Sequence, residues 1–387
     1  MKSVTMFVWN NFINDARVLR EAKALAELDY TVTIIAKKEL NEMKLKPAEE
    51  IERNIVVNRP LKYELPQFLT SKLKSSILSK HIPNALLMFK MIILGRRYKT
   101  DVYHSHDLNT LIQGIASAKL RLKPKKLIYD SHEVQTSRTH YNFNTIYKIE
   151  KFLLKFVDEV IVENETRRDY HYDLYKDKPL AIHNYSELYN IDDYETYPLR
   201  EKYHVADETK IVLYQGGMQE GRGLFKLLES FKDIEGAVLF MIGDGKERNN
   251  LISKMKALNL EEKVIFIERV PYADLRKYTK AADIGIQFLE NTNFNHYSAS
   301  SNKLFEYLMA HVPVLGSKLP EIERVIEGER VGLTVEAGNI KALSENLQKL
   351  IDDNDLRTHF KENTKAAKYK YNWEMDKTIL QDLYEKL

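Results

Sequence analysis

Short runs rich in Val, Ile and Tyr alternate with segments whose apolar residues recur at helical spacing, along nearly the whole chain. "SVTMFVW" reads as a strand, and "ARVLREAKALAEL" after it places Val18, Leu19, Ala22, Leu25, Ala26 and Leu28 on a helical stripe with Asp15 as N-cap. "YTVTIIA", "DVYHSH", "KLIYD", "DEVIVE" and "LAIHNYS" continue the series as strands. Residues 187–207 are rich in Tyr, Asp and Glu without periodicity and read as a linker. A second series runs from "KIVLYQGG" through "AVLFMIGDG", "KVIFIE", "DIGIQF", "VPVLG" and "GLTVE", with helical segments between. Strand–helix alternation requires parallel sheets covered on both faces.

At 387 residues the chain exceeds what one core supports. The expectation is an α/β protein of two Rossmann-like, doubly wound domains facing each other across a cleft. The N-terminal domain spans 1–186 and the C-terminal domain 208–371, with a last helix at about 372–387 belonging with the first. Ligands of such sheets sit beyond the carboxyl ends of the strands, so the strand-to-helix turns are where chemistry is sought.

The composition is that of a globular protein, 44% apolar and 30% charged. Without cysteine, disulfides and thiolate metal sites are excluded. The N-terminus lacks the apolar run of a signal peptide. "ALLMFKMIIL" is too short to span a bilayer. A cytoplasmic location is expected. Residues 1–185 carry 31 basic and 22 acidic residues, whereas 186–387 carry 28 and 34. Within the first half, 70–126 holds 12 basic residues and 2 acidic ones around that apolar run. A basic rim on apolar surface suits an anionic membrane, and solvated lysines on an ordinary core helix are the competing reading. No nucleic-acid-binding motif accompanies the charge.

Several turns carry candidate chemistry. "YQGGMQEGRG" offers Gly216, Gly217 and Arg222 between a strand and a helix, where backbone amides approach a phosphate and a guanidinium can clamp it. A tight turn with a surface Arg is the simpler reading. "FMIGDG" adds Gly243 in a turn that reads more readily as structural. In "VYHSHDL", His106 stands nearest the helix start and suits a substrate contact. His104 reads as a satisfied core histidine, and the pair lacks an obvious third metal ligand. "IYDSHEV" presents Asp130, His132 and Glu133, for which acid/base roles compete with plain loop polarity. In "SSNKLFEYLMA", a helix capped at Ser301 or Asn302 places Lys303 at its positive end, with Glu306 one turn on. A phosphate at the tip and a diol on the carboxylate would explain both.

Together "NDARVLREAKALAE", "HSHDLNTL", "YDSHE", "YQGGMQEGRG", "FMIGDGKER", "VIFIERVPYADLRKYTKAADIGIQF" and "NKLFEYLMAHVPVLGS" resemble glycosyltransferase family 4 of the GT-B fold, in order and spacing. The resemblance covers nearly the whole chain. It implies a retaining enzyme, independent of metal, that transfers sugar from a nucleotide diphosphate, a UDP-sugar above all. The acceptor would be a surface polysaccharide, a teichoic-acid-like chain or a lipid-linked glycan. Arg222, Asn302 and Lys303 match the diphosphate ligands and Glu306 the ribose ligand. Glu268, Arg269 and Val270 match the base-reading loop. His106 matches the histidine beside the transferred sugar, and Asn14 and Asp15 the loop by the acceptor. Two positions depart from the pattern: Ser298 stands where the motif's first Glu belongs, and Gly217 replaces a basic residue. These departures motivate a second reading, a catalytically silent scaffold that binds a partner transferase or a glycan. A nicotinamide oxidoreductase is disfavoured, because the first turn, "NNFINDA", lacks the glycine fingerprint.

Overall fold

The computed structural model describes residues 2–13, 15–63, 76–139 and 141–387, with side chains of 76–80 left aside. Asn14 and the 70–75 part of the basic segment lie outside the described residues. The chain forms two compact units, Met1–Ile182 with Lys377–Leu387, and His183–Asp376.

The first unit holds an eight-stranded sheet in the order β3-β4-β2-β1-β5-β6-β7-β8. The strands are β1 (Ser3–Phe7), β2 (Thr31–Ile35), β3 (Ala48–Glu52), β4 (Ile55–Asn58), β5 (Val102–His106), β6 (Lys126–Ser131), β7 (Glu159–Val162) and β8 (Leu180–Ala181). All pairs are parallel except β3 on β4, where Asn54 turns the chain at φ 67°. Among the described residues the intervening helices are α1 (Ala16–Glu27), α2 (Ser76–Arg97), α3 (Leu108–Ala118), α4 (Phe143–Leu153) and α5 (Glu165–Tyr175). The central strands β1, β2 and β5 are buried on both faces, as parallel strands under helices must be. The "LAIHNYS" strand shrinks to Leu180–Ala181. Beyond it the His183 amide and ring bond Asp376 instead of a neighbouring strand.

The second unit holds a parallel six-stranded sheet in the order β11-β10-β9-β12-β13-β14. Its strands are β9 (Lys210–Gln215), β10 (Ala237–Ile242), β11 (Val264–Ile267), β12 (Ile284–Gln287), β13 (Val314–Ser317) and β14 (Gly332–Val335). The intervening helices are α6 (Leu199–Tyr203), α7 (Leu224–Ser230), α8 (Arg248–Ala257), α9 (Tyr272–Lys280), α10 (Phe294–Tyr297), α11 (Asn302–Met309), α12 (Pro320–Ile326), α13 (Ile340–Asp352) and α14 (Asn354–Ala367). Side chains alternate between two cores. Val212 and Tyr214 enter one with Leu227 and Phe231, while Ile211 and Leu213 enter the other with Leu304, Phe305 and Tyr307. The last helix, α15 (Trp373–Lys386), places Tyr384 against Tyr30 and His104 of the first sheet.

Residues 187–207 are not a bare linker. Ile191 and Leu199 are buried in the second unit's core, and Tyr197 stacks on Tyr278 with centroids 3.9 Å apart. Aromatic burial without a period leaves no helical or strand signature to read.

One close approach fixes the site below. A Cβ on Gly285 would stand 2.6 Å from the Tyr307 ring, whose hydroxyl donates to the Leu213 carbonyl at 2.9 Å. Gly285→Val should therefore cost about 1–3 kcal/mol by overpacking, read as a lower urea midpoint. An unchanged midpoint would show that α11 seats otherwise.

Candidate active site

In the second unit, four elements converge at the carboxyl ends of β9 and β12. The chain leaving β9 turns at Gly216, at φ 131°, where a side chain would meet Lys303 at 3.2 Å. Gly243, after β10, abuts the same turn, and a Cβ there would lie 2.0 Å from the Gly216 carbonyl oxygen. Gly243 thus supports the turn. Gly217 is exposed, and its carbonyl accepts from the Tyr214 hydroxyl at 2.7 Å. Arg222 is half-buried before α7.

Ser301 stands at the N-cap of α11, yet its side chain makes no cap bond. The first amides of the helix are thereby left for an external acceptor. Asn302 is half-buried, whereas Lys303 is 5% exposed with its ammonium 4.5 Å above the Tyr214 ring. Burial pushes the Lys303 amine well below the usual lysine range, and the neighbouring Arg222 pushes it further. Neither cation forms a salt bridge among the described residues. Two basic side chains thus stand beside uncapped amides, an arrangement that favours an anion.

Glu306 lies one turn further on. Its Oε2 accepts from Gln215 Nε2 at 2.5 Å, and Gln215 Oε1 accepts from Thr279 Oγ1 at 2.8 Å. This relay from α9 through β9 fixes the carboxylate. Arg269 is exposed after β11, and Val270 packs against the second core. Ser298 is buried with its Oγ donating to the Phe294 carbonyl at 2.7 Å, so it cannot stand in for an acid.

The first unit concentrates titratable groups at the ends of β5 and β6. Asp130 is fully buried and takes the Arg17 guanidinium at 3.0 Å and His132 Nε2 at 2.9 Å. His106 Nδ1 lies 3.1 Å from His132 Nε2, and its Nε2 has no partner. His104 bonds the Tyr384 hydroxyl at 2.9 Å, as a core histidine does. Burial would raise Asp130, yet Arg17 and His132 hold it well below the usual carboxylate range. Burial would lower His132, but Asp130 raises it to about 9. Burial lowers His106, which stays neutral. Burial and the Asp130 charge both raise Glu21. Glu21, His104, His106 and Asp130 offer ligand atoms within 4.8 Å of one another, a spacing that could hold a cation. Arg17 already supplies one, 3.2 Å from Glu21 and 3.0 Å from Asp130.

Asp15 caps α1 through the Val18 amide and also accepts from Asn10 at 2.7 Å. Glu133 turns away from the cluster, pairing with Arg138 at 2.6 Å. Sequence reasoning missed Arg17, Glu21 and Gln215. Arg17 and Glu21 were detectable as charges on the face that Val18, Ala22 and Leu25 mark as buried. Gln215, a polar strand end, carried no such signal.

Residues 197–367 match the family described as glycosyl transferases group 1. The chain is 24% identical over 290 residues to the capsular polysaccharide biosynthesis glycosyltransferase CapM of Staphylococcus aureus, covering 70% of this chain and 72% of that one. It is likewise 24% identical over 329 residues to an N-acetylgalactosaminyltransferase of Campylobacter jejuni that acts on a diphospho-undecaprenol glycan, covering 81% and 85%. The chain is a glycosyltransferase. Among solved structures, sucrose-phosphate synthase from Thermosynechococcus elongatus superposes with a TM-score of 0.76 at 18% identity, covering 100% of this chain and 99% of that one. Anabaena HepE, solved with UDP-glucose, gives 0.76 at 15%, covering all of both chains. The fold of this glycosyltransferase is therefore GT-B.

The shifts make stability pH-dependent. His132 holds an extra proton in the folded state between its ordinary 6.5 and about 9, and Glu21 does so above the ordinary carboxylate range. Their contribution is complete below the unfolded values and disappears as pH rises through the folded ones. Lys303, whose amine is lowered, contributes the opposite slope, so the test is a comparison: relative to His132→Gln, the wild-type protein should lose a few degrees of thermal midpoint between pH 6.5 and 9. Parallel midpoint curves for the two proteins would contradict the assignment.

Proposed function

We propose that the chain is a retaining glycosyltransferase of family 4 type, taking a nucleotide-diphosphate sugar, a UDP-sugar above all, without a metal ion. The acceptor is a cell-surface polysaccharide, a teichoic-acid-like chain or a lipid-linked glycan. One observation carries the reading: Arg222 and Lys303 converge beside the uncapped start of α11, with Glu306 as a nearby carboxylate that offsets only part of their charge. A diphosphate matches the positive charge left over, and Glu306, oriented by Gln215, accepts from the ribose hydroxyls. As the glycosidic bond breaks, negative charge grows on the departing diphosphate, and the two cations stabilise it where a metal would otherwise be needed. The leaving phosphate then takes the acceptor's proton. Gly216 and Gly217 let the β9 turn approach the phosphates, and Arg269 and Val270 flank the base. The Asp130–His132–His106 cluster, with Asp15 at the N-cap of α1 acting on His106 through its charge, serves the acceptor, and His106 Nε2 is the atom left for the sugar. Relatives support the reading: HepE is solved with UDP and with UDP-glucose, and CapM and the Campylobacter enzyme are named for surface or lipid-linked glycans.

The described part of the basic segment supports a peripheral place on the inner face of an anionic membrane. Neighbouring helices α2, α3 and α4 form a layer. Leu86, Phe89 and Ile93 of α2 are exposed at i, i+3, i+7, as are Ile149 and Phe152 of α4 with Phe156 just beyond. Between them stand Ile112 and the exposed Leu120 and Leu122. Exposed Arg96, Arg97, Lys123, Lys148, Lys151 and Lys155 border these stripes. Apolar stripes that face outward beside lysines match an interfacial surface. No helix among the described residues is long and apolar enough to cross a membrane.

Arg222→Ala should lower turnover by about 10²–10³-fold with an unchanged thermal midpoint, measured as sugar release from a nucleotide-sugar panel. Normal turnover would remove Arg222 from the mechanism. The protein should float with phosphatidylglycerol vesicles, and Phe89→Ser with Phe152→Ser should sink. Flotation unaffected by both substitutions would exclude this face.

A further inference from the structure

Gln287 ends β12 fully buried, and neither end of its side-chain amide has a hydrogen-bond partner. No other amide side chain among the described residues is orphaned at both ends. Its direction follows from the strand. Gly285 faces the Tyr307 ring of α11, so Gln287, two residues on, points to the same side. Gly285 pairs with Leu213, which sets Gln287 level with Gln215, the residue that holds Glu306. The amide therefore stands at the carboxyl end of the sheet, on the α11 side. Ser300, just before α11, is 2% exposed and its Oγ also lacks a partner. Buried polar atoms without partners are costly, and sites that bind polar ligands are where such atoms persist.

The inference rests on the nucleotide-sugar reading. We propose that Gln287, with Ser300, reads the transferred sugar. The amide N–H donates to one sugar oxygen, Oε1 accepts from a hydroxyl or an acetamido N–H, and the serine hydroxyl serves either way. The set is uncharged, so it suits a neutral hexose or an N-acetylhexosamine. It also supplies polar contacts that an acid at position 298 would otherwise give. Ser298, bonded to the Phe294 carbonyl, is not available for them.

Calorimetric titration tests this with UDP, UDP-glucose, UDP-N-acetylglucosamine and the corresponding GDP compounds. Gln287→Leu keeps the volume and removes the orphaned atoms. It should weaken the preferred sugar nucleotide about tenfold, leave the free nucleotide within about twofold, and leave the thermal midpoint unchanged or higher. Ser300→Ala, which removes one oxygen, should weaken the same sugar nucleotide about threefold. Were both variants to bind sugar nucleotide and free nucleotide in the wild-type ratio, the sugar-reading role would be overturned. A lower midpoint for Gln287→Leu with that ratio intact would mark the amide as structural. A wild-type protein that binds no nucleotide at all would overturn the donor reading beneath.

Discussion

Lys303 is an ammonium held out of water, with a guanidinium close enough to make its charge costlier still. Folding alone does not favour that arrangement, because burial costs the ammonium more than the nearby Glu306 carboxylate returns. The rest of the second unit serves to sustain it. Tyr214 offers its ring face to the ammonium, Gly216 leaves room for the side chain, and Gly243 braces the Gly216 turn from behind. Tyr307 pins α11 to β9 and Gly285 admits its ring, so the helix start cannot drift from the turn. On the proposed reading a diphosphate would ease the conflict by adding negative charge to that of Glu306.

The first unit manages charge in the opposite way. Arg17, Asp130, His132 and Glu21 compensate one another inside the protein, and the cluster is nearly closed to solvent. His132 and Glu21 hold protons that the unfolded chain would release, and His106 stays neutral beside them. A preorganised neutral imidazole suits orientation of a sugar better than transfer of a proton. This division agrees with a mechanism in which the leaving phosphate, not a side chain, takes the acceptor's proton.

Much of this was legible beforehand because parallel strands bury both faces and leave unbroken apolar runs. The runs from "KIVLYQ" to "GLTVE" became β9 to β14 for that reason. The β3–β4 hairpin escaped notice because "AEEIE" alternates exposed acids with half-buried residues and carries little apolar weight. The segment 187–207 escaped because its tyrosines pack ring against ring, edge-on or stacked, with no period to detect. Within the site, Arg222, Lys303 and Glu306 were visible as charges at turns. Gln215 and Gln287 were not, because a neutral residue at a strand end looks the same whether it orients a carboxylate, awaits a ligand or faces water.

The most direct test is the ionisation of Lys303 itself, followed by NMR of the ε-labelled amine with and without UDP. The account predicts a value well below the ordinary lysine range in the free protein, and a clear rise on saturation with UDP as the diphosphate supplies the counter-charge. An amine that titrates normally in the free protein, or one that UDP leaves unmoved, would contradict it.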